Sequence, residues 1–306
     1  MLPKTVRITE VGPRDGLQME KRIVPTDQKV ALIERLVAAG LPAIQVAAFV
    51  NPAKVPQMAD AEALIARLPH GRGVDFSALT LNRKGVERAA ETAIPWIEVS
   101  FSVSETQSRA NTGMGVEQAQ VEAGAMMALA RSAGRKVRAS IQCSFGCLNE
   151  CEITPLTVRG LAERLIDLGA DILVLADTTG MATPLGIRRI LEEVLPIAQG
   201  VPLCLHLHDT RGLGLVNLME GLAMGIDHFD TSLGGLGGCP FVQGAAGNIA
   251  TEDTLHLLRS LGIETGIDMT GVAACSRELS VFFGRDLSGK MYRLTETGYC
   301  TVGDSA

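Results

Sequence analysis

Val201-Pro202-Leu203-Cys204-Leu205-His206-Leu207-His208-Asp209 leads, across a helical stretch at 215–224, to His228-Phe229-Asp230-Thr231-Ser232-Leu233. The two outer segments are strand-length runs that are mostly apolar, and the middle one repeats apolar residues at helical spacing. This strand–helix–strand unit recurs along the whole chain. Strand one is read at 6–11, with a helix at 27–39 closed by Gly40. Strand two at 43–49 is followed by a helix at about 57–68, and strand three at 74–79 by one at about 84–92. After strand four at 96–102 come a polar loop and a helix at 116–132. Strand five is read at 136–143, with Pro155 opening a helix that ends near Gly169. Strand six at 172–176 precedes a helix with Pro184 at its start. Strands seven and eight, at 201–207 and 228–233, complete the series, and a helix begins near Thr251. Eight strands with short connections and a helix after each argue for an α/β fold, a closed (β/α)8 TIM barrel. An open doubly wound sheet would need fewer strands and a phosphate-cradling glycine turn after strand one, which is missing.

The 306 residues are 46% hydrophobic, and a barrel of this type takes about 250 residues as one unit. The alternation stops near residue 263. The reading therefore divides the chain into a catalytic barrel at 1–262 and a C-terminal extension at 263–306, helical around 276–283. The extension is expected to pack on the barrel or at a homo-oligomer interface. No run approaches the roughly 18 apolar residues of a membrane span, and residues 1–5 lead straight into a strand pattern. A cytoplasmic protein with no membrane partner is expected. The net charge of −6 has both signs interspersed, which argues against nucleic acid but leaves room for a small phosphorylated ligand. Seven cysteines in a reducing context suggest free thiols. Cys143, Cys147 and Cys151 follow a C-x3-C-x3-C spacing that matches neither zinc pairs nor iron–sulfur motifs, so they are read as independent thiols.

Barrels of this type carry their chemistry at the C-terminal ends of the strands. His206 and His208, two apart on strand seven, face the same way with attachment points about 6.5–7 Å apart. Two imidazoles there suit one metal ion better than two packing histidines. Asp15 offers an anionic oxygen and Asn248 a neutral one, a donor set for an exchangeable divalent ion such as Mg2+ or Mn2+. Arg14 either steadies a developing oxyanion or staples the first loop to Asp15. Cys239 sits in the glycine-rich run 234–247, where a mobile loop suits a thiol acting as general acid or base. A nucleophilic cysteine would want a histidine base, and both histidines look committed to metal.

Glu10-Val11-Gly12-Pro13-Arg14-Asp15-Gly16-Leu17-Gln18, His206-x-His208-Asp209-Thr210, Gly235-Leu236-Gly237-Gly238-Cys239-Pro240-Phe241 and Gly247-Asn248-x-Ala250-Thr251-Glu252-Asp253 together resemble the 3-hydroxy-3-methylglutaryl-CoA lyase family, in the same order, to about residue 265. The resemblance implies a retro-Claisen cleavage of an acyl-CoA thioester to acetyl-CoA and a keto acid. It implies Asp15, His206, His208 and Asn248 as ligands of a divalent cation, Arg14 as the enolate partner and Cys239 as the proton carrier. Asp15 is also the candidate base for the substrate hydroxyl. Asn82, Arg83, Lys84 and Arg109 are candidates for the coenzyme A phosphates, with solvated surface charge as the alternative. One departure stands out: Gln45-Val46-Ala47-Ala48 replaces a glutamate followed by Thr-Thr-Ser. Gln45, counted among the substrate-binding candidates, removes a negative charge near the metal. An α-hydroxy acid head group such as citramalyl-CoA could then chelate more closely. A non-catalytic CoA-ester-binding paralogue and a radical enzyme built on the three spaced cysteines are the remaining readings.

Overall fold

The computed structural model describes residues 1–294 apart from 72, 149–152, 199, 240 and 241, and leaves out the side chains of 239 and 242–245. Its centre is a closed barrel of eight parallel strands. They are β1 (Arg7–Glu10), β2 (Ala43–Phe49), β3 (Asp75–Thr80), β4 (Trp96–Ser102), β5 (Lys136–Gln142), β6 (Ile172–Ala176), β7 (Leu203–His206) and β8 (His228–Thr231). β1 pairs with both β2 and β8, so no edge is left. Every β2, β4 and β6 residue is buried, as expected for strands covered by helices outside and packed side chains inside.

The surrounding helices are α1 (Thr26–Ala38), α2 (Ala61–Ile65), α3 (Arg83–Ala90), α4 (Glu105–Thr112), α5 (Val116–Ser132), α6 (Pro155–Asp167), α7 (Pro184–Val194), α8 (Gly214–Ala223) and α9 (Thr251–Ser260). Pro155 and Pro184 occupy first turns, where no backbone N–H is missed. Two elements differ from the sequence reading. The helix expected over 57–68 is a single 3-10 turn at Pro56–Met58 and then the short α2. The break falls at Asp60, whose carboxylate accepts from Thr26 Oγ1 and Lys29 Nζ of α1, both at 2.7 Å. The polar stretch after β4 is helical, because Ser104 Oγ caps Gln107 N at 3.1 Å and Gly113 ends the turn at φ 76. β7 starts at Leu203, after Pro202, which has no N–H to donate.

After α9 the chain continues into α10 (Met269–Phe283), which packs on α1, and α11 (Met291–Leu294). This region is tied to the loop after β8. Gly289 N donates to Gly234 O at 2.8 Å and Ser288 Oγ to Gly235 O at 2.7 Å. Asp253 receives the N–H groups of Lys290 and Met291. No described helix is long and apolar enough to cross a membrane.

Trp96, Ile172, Val174 and Cys204 form a small apolar cluster of their own. Next to it lies a charged layer. Buried Arg138 donates from Nε to Glu98 at 3.1 Å, from Nη1 to Thr9 Oγ1 at 3.0 Å and from Nη2 to Asp230 at 2.8 Å. The mouth of the barrel stands directly on this layer.

Candidate active site

Residues Gly12–Gly16 make one wide π-helical turn at the end of β1, starting with Pro13 in its first positions. Such turns bulge the backbone and recur at functional sites. Here it sends Arg14 and Asp15 into the barrel mouth, where they form an ion pair. Buried Glu10 fixes the turn from below. Its carboxyl accepts from Gly12 N at 2.7 Å, Leu233 N at 2.9 Å and Thr251 Oγ1 at 2.6 Å, tying the loops after β1 and β8 to the start of α9. Burial raises this carboxyl to about 8.

His206 closes β7 and His208 follows two residues on. Their Nε2 atoms stand 3.2 Å apart, and His206 Nε2 lies 4.0 Å from Asp15 Oδ2. One ligand atom from each of Asp15, His206 and His208 falls within 4.8 Å of the others. Asn248 comes to the same point because the ribbon β9 (Gly238–Cys239) and β10 (Val242–Ala246) turns the chain back alongside β7. Asp209 N then donates to Gly247 O at 2.7 Å and Ile249 N to Leu207 O at 3.1 Å. Asn248 Nδ2 donates to Asp15 Oδ2 at 2.8 Å, while its Oδ1 is buried without a hydrogen-bond partner. A buried amide oxygen with nothing to accept is costly. Set beside a carboxylate and two converging imidazoles, it fits a divalent cation.

The charge states agree with that fit. Burial alone would raise Asp15, but Arg14 and the two imidazoles outweigh it and bring the carboxyl down to about 2. An oxygen held ionised so firmly suits a metal ligand. Burial and the adjacent His206 push His208 down to about 3, leaving a neutral ring with a free lone pair. For His206, burial works the other way from its partners. The Asp230 carboxylate behind Nδ1, at 3.4 Å, and Asp15 outweigh it and raise the ring. A carboxylate behind a ligating imidazole orients the ring.

The glycines of the loop have a static reason. Leu233 to Leu236 are buried, and a Cβ on Gly234, at φ +60, would meet Leu287 Cδ1 at 2.4 Å. Gly237, at φ +122, would place a Cβ 2.6 Å from Asn248 Nδ2 and drive that side chain off Asp15. The Cys239 side chain lies outside the described residues, as does Cys151. Cys143 and Cys147 are buried free thiols, and Cys143 Sγ donates to Gln107 Oε1 at 3.1 Å.

A cleft of about 830 Å³ opens above these groups, with Arg14, Asp15, His206, His208 and Gly238 in its wall. Of the coenzyme A candidates, Asn82 lines the cleft and caps α3 through Oδ1, accepting from Gly85 N at 2.8 Å. Arg83 turns to Glu122 at 2.7 Å, Arg109 to Glu105 at 2.6 Å, and Lys84 is exposed on α3. The sequence reading passed over Lys54, a cation in the cleft wall. Its position in the loop after a barrel strand was the available signal. Gln45 is buried rather than open to the cleft. It accepts from Arg14 Nε and donates to Glu98 Oε2 at 2.7 Å, so the negative charge absent at position 45 stands one hydrogen bond further on.

Arg-Asp after the first strand of this parallel barrel and the His pair at its seventh thus make a cation-competent site at one mouth. The HMGL-like family model matches residues 5–278, and the chain belongs to that family. Mouse mitochondrial hydroxymethylglutaryl-CoA lyase is 38% identical over 294 residues, spanning 96% of this chain and 90% of the mouse protein. (R)-citramalyl-CoA lyase of Chloroflexus aurantiacus is 39% identical, over 93% of each chain. A solved HMG-CoA lyase from Acinetobacter baumannii, in complex with coenzyme A and 3-methylmalate, superposes with a TM-score of 0.90 at 36% identity, covering 98% of this chain and 97% of that one.

Proposed function

We propose that this chain is a carbon–carbon lyase that cleaves 3-hydroxy-3-methylglutaryl-CoA to acetyl-CoA and acetoacetate. The observation that carries the reading is the convergence of Asp15, His206, His208 and Asn248 beside Arg14 at the floor of one cleft. A divalent cation there, Mg2+ or Mn2+ in this proposal, would polarise the tertiary hydroxyl and lower the cost of its ionisation. Asp15 would take the hydroxyl proton on the carboxylate oxygen that the cation leaves free. As the bond between C2 and C3 breaks, its electron pair passes to the thioester. Arg14 then faces the enolate oxygen with a buried, fixed guanidinium. Cys239 delivers the proton that turns the enolate carbon into the methyl group of acetyl-CoA. Lys54 and Asn82, in the cleft wall, would meet the coenzyme A chain, and Arg83, Lys84 and Arg109 are proposed for its phosphates.

The test is mass spectrometry of products from a panel of 3-hydroxyacyl-CoA esters supplied with Mg2+ or Mn2+. Acetoacetate formed fastest, from the hydroxymethylglutaryl ester, is the expected result. Pyruvate formed faster, from citramalyl-CoA, would favour the second reading, which the Chloroflexus relative supports. No metal-dependent turnover of any ester would remove the enzyme reading. Cys239→Ser is expected to lower kcat about a hundredfold, because a serine hydroxyl is a far weaker acid. Binding of Mn2+ and the thermal midpoint should stay unchanged. Near-normal kcat in that variant would remove the proton-carrier role. A cytoplasmic setting belongs to the same proposal, in keeping with free thiols at Cys143, Cys147, Cys204 and Cys275. So do a homo-oligomeric state and the division at residue 262.

A further inference from the structure

Hydrogen bonds can be followed without a break around the inside of the barrel. Asp15 Oδ1 accepts from Arg14 Nη1, and Arg14 Nε donates to Gln45 Oε1. Gln45 Nε2 donates to Glu98 Oε2 at 2.7 Å, and the same oxygen accepts from Arg138 Nε at 3.1 Å. Arg138 Nη2 donates to both oxygens of Asp230, at 2.8 and 2.9 Å, and Asp230 Oδ2 stands 3.4 Å from His206 Nδ1. The path starts on Asp15 and ends on His206, two of the groups that converge on the candidate cation position. Arg14, Gln45, Glu98, Arg138 and Asp230 are all buried. Charge alternates along it, with Gln45 as the neutral link between a cation and an anion.

We infer that Gln45 and Glu98 are a matched positioning pair, which aims the Arg14 guanidinium and couples it to the carboxylate behind His206. The inference rests on the lyase reading above. The amide at 45 both accepts and donates, and its two neighbours require one of each. A carboxylate at 45 would meet Glu98 oxygen to oxygen with no hydrogen between them, an arrangement two ionised groups cannot keep. An apolar side chain would leave Arg14 Nε buried and unmatched and take one of its two donors from Glu98 Oε2. Arg14 has a second anchor on Asp15, but that bond fixes only one end of the guanidinium. Without Gln45 the plane is free to swing about it. The pair is therefore interchangeable in one way only. Glutamate at 45 with glutamine at 98 keeps the total charge and the hydrogen bond between the two, and gives up only the one that Glu98 Oε2 accepts from Arg138 Nε.

The test compares kcat and KM for the hydroxymethylglutaryl ester across the unaltered protein, Gln45→Glu, Glu98→Gln, the double variant and Gln45→Met. Gln45→Glu is expected to lower kcat about tenfold or more with KM within about twofold, and the double variant to recover to within about threefold of normal. Gln45→Glu at more than about half of normal kcat, or a double variant no faster than Gln45→Glu, overturns the inference. If Gln45→Glu does not fold, Gln45→Met decides. A similar loss in kcat at constant KM supports the inference, and normal kcat overturns it. Absence of turnover in the unaltered protein would instead refute the lyase reading. The pairing then still shows as non-additive melting shifts across the same proteins, and additive shifts overturn it.

Discussion

His208→Ala is expected to reduce kcat/KM about a thousandfold at fixed Mg2+ and to weaken Mn2+ binding, read by electron paramagnetic resonance. The ring is buried, neutral and aimed with its Nε2 at a point shared with His206 and Asp15. Alanine leaves two protein side chains and one amide oxygen around that point. Loss of the stabilisation that a cation gives developing negative charge amounts to several kcal/mol, and about 4 kcal/mol is a factor of a thousand. A packing histidine would behave differently. Its removal would lower the melting temperature through the cavity it leaves and would spare metal affinity. Retained Mn2+ affinity with a lowered midpoint would therefore assign His208 to packing and dissolve the proposed site.

The eight strands were legible because each is a short apolar run bounded by turn residues. Closure followed from their number. The candidate metal cluster was legible for a related reason: once the strands are placed, Asp15, His206 and His208 must sit at C-terminal ends, where side chains converge. Asn248 could be placed only through the family resemblance and the glycine run before it, since it arrives by a returning ribbon and not at a strand end. The charged layer was not legible. Glu98 and Arg138 stand between apolar neighbours in mid-strand and Asp230 follows Phe229, which in an open antiparallel sheet would read as a solvated face. Only in a closed parallel barrel, buried on both sides, must each find a partner inside. For the same reason Gln45, read from sequence as a loss of charge, is in the structure half of a hydrogen-bonded pair. α2 was read too long and α4 was missed because Asp60 and Ser104 decide them through side-chain bonds, which apolar periodicity does not record.

Arg14→Gln should be as damaging to turnover as the loss of a metal ligand, but through a different step. The guanidinium is buried in the cleft and held from two sides, by Asp15 and by Gln45. Negative charge on the thioester oxygen grows only as the carbon–carbon bond breaks, so a group that meets it there stabilises the transition state more than the bound ester. The expected signature is a fall in kcat of about 10³ with KM changed less than about threefold, since a fixed donor at an oxyanion is worth about 10²–10³ and the positive charge is lost as well. Arg14→Lys separates charge from aim. It restores a cation but cannot donate to Gln45 and reach the oxyanion together, so kcat should recover only in part, about tenfold above Arg14→Gln. Proton exchange at the methyl group of acetyl-CoA, the reverse half of the same step, gives an independent reading. Arg14→Gln should slow that exchange as much as cleavage, because both pass through the same enolate. A variant that cleaves slowly yet exchanges at the normal rate would place Arg14 on the substrate carboxylate, away from the thioester.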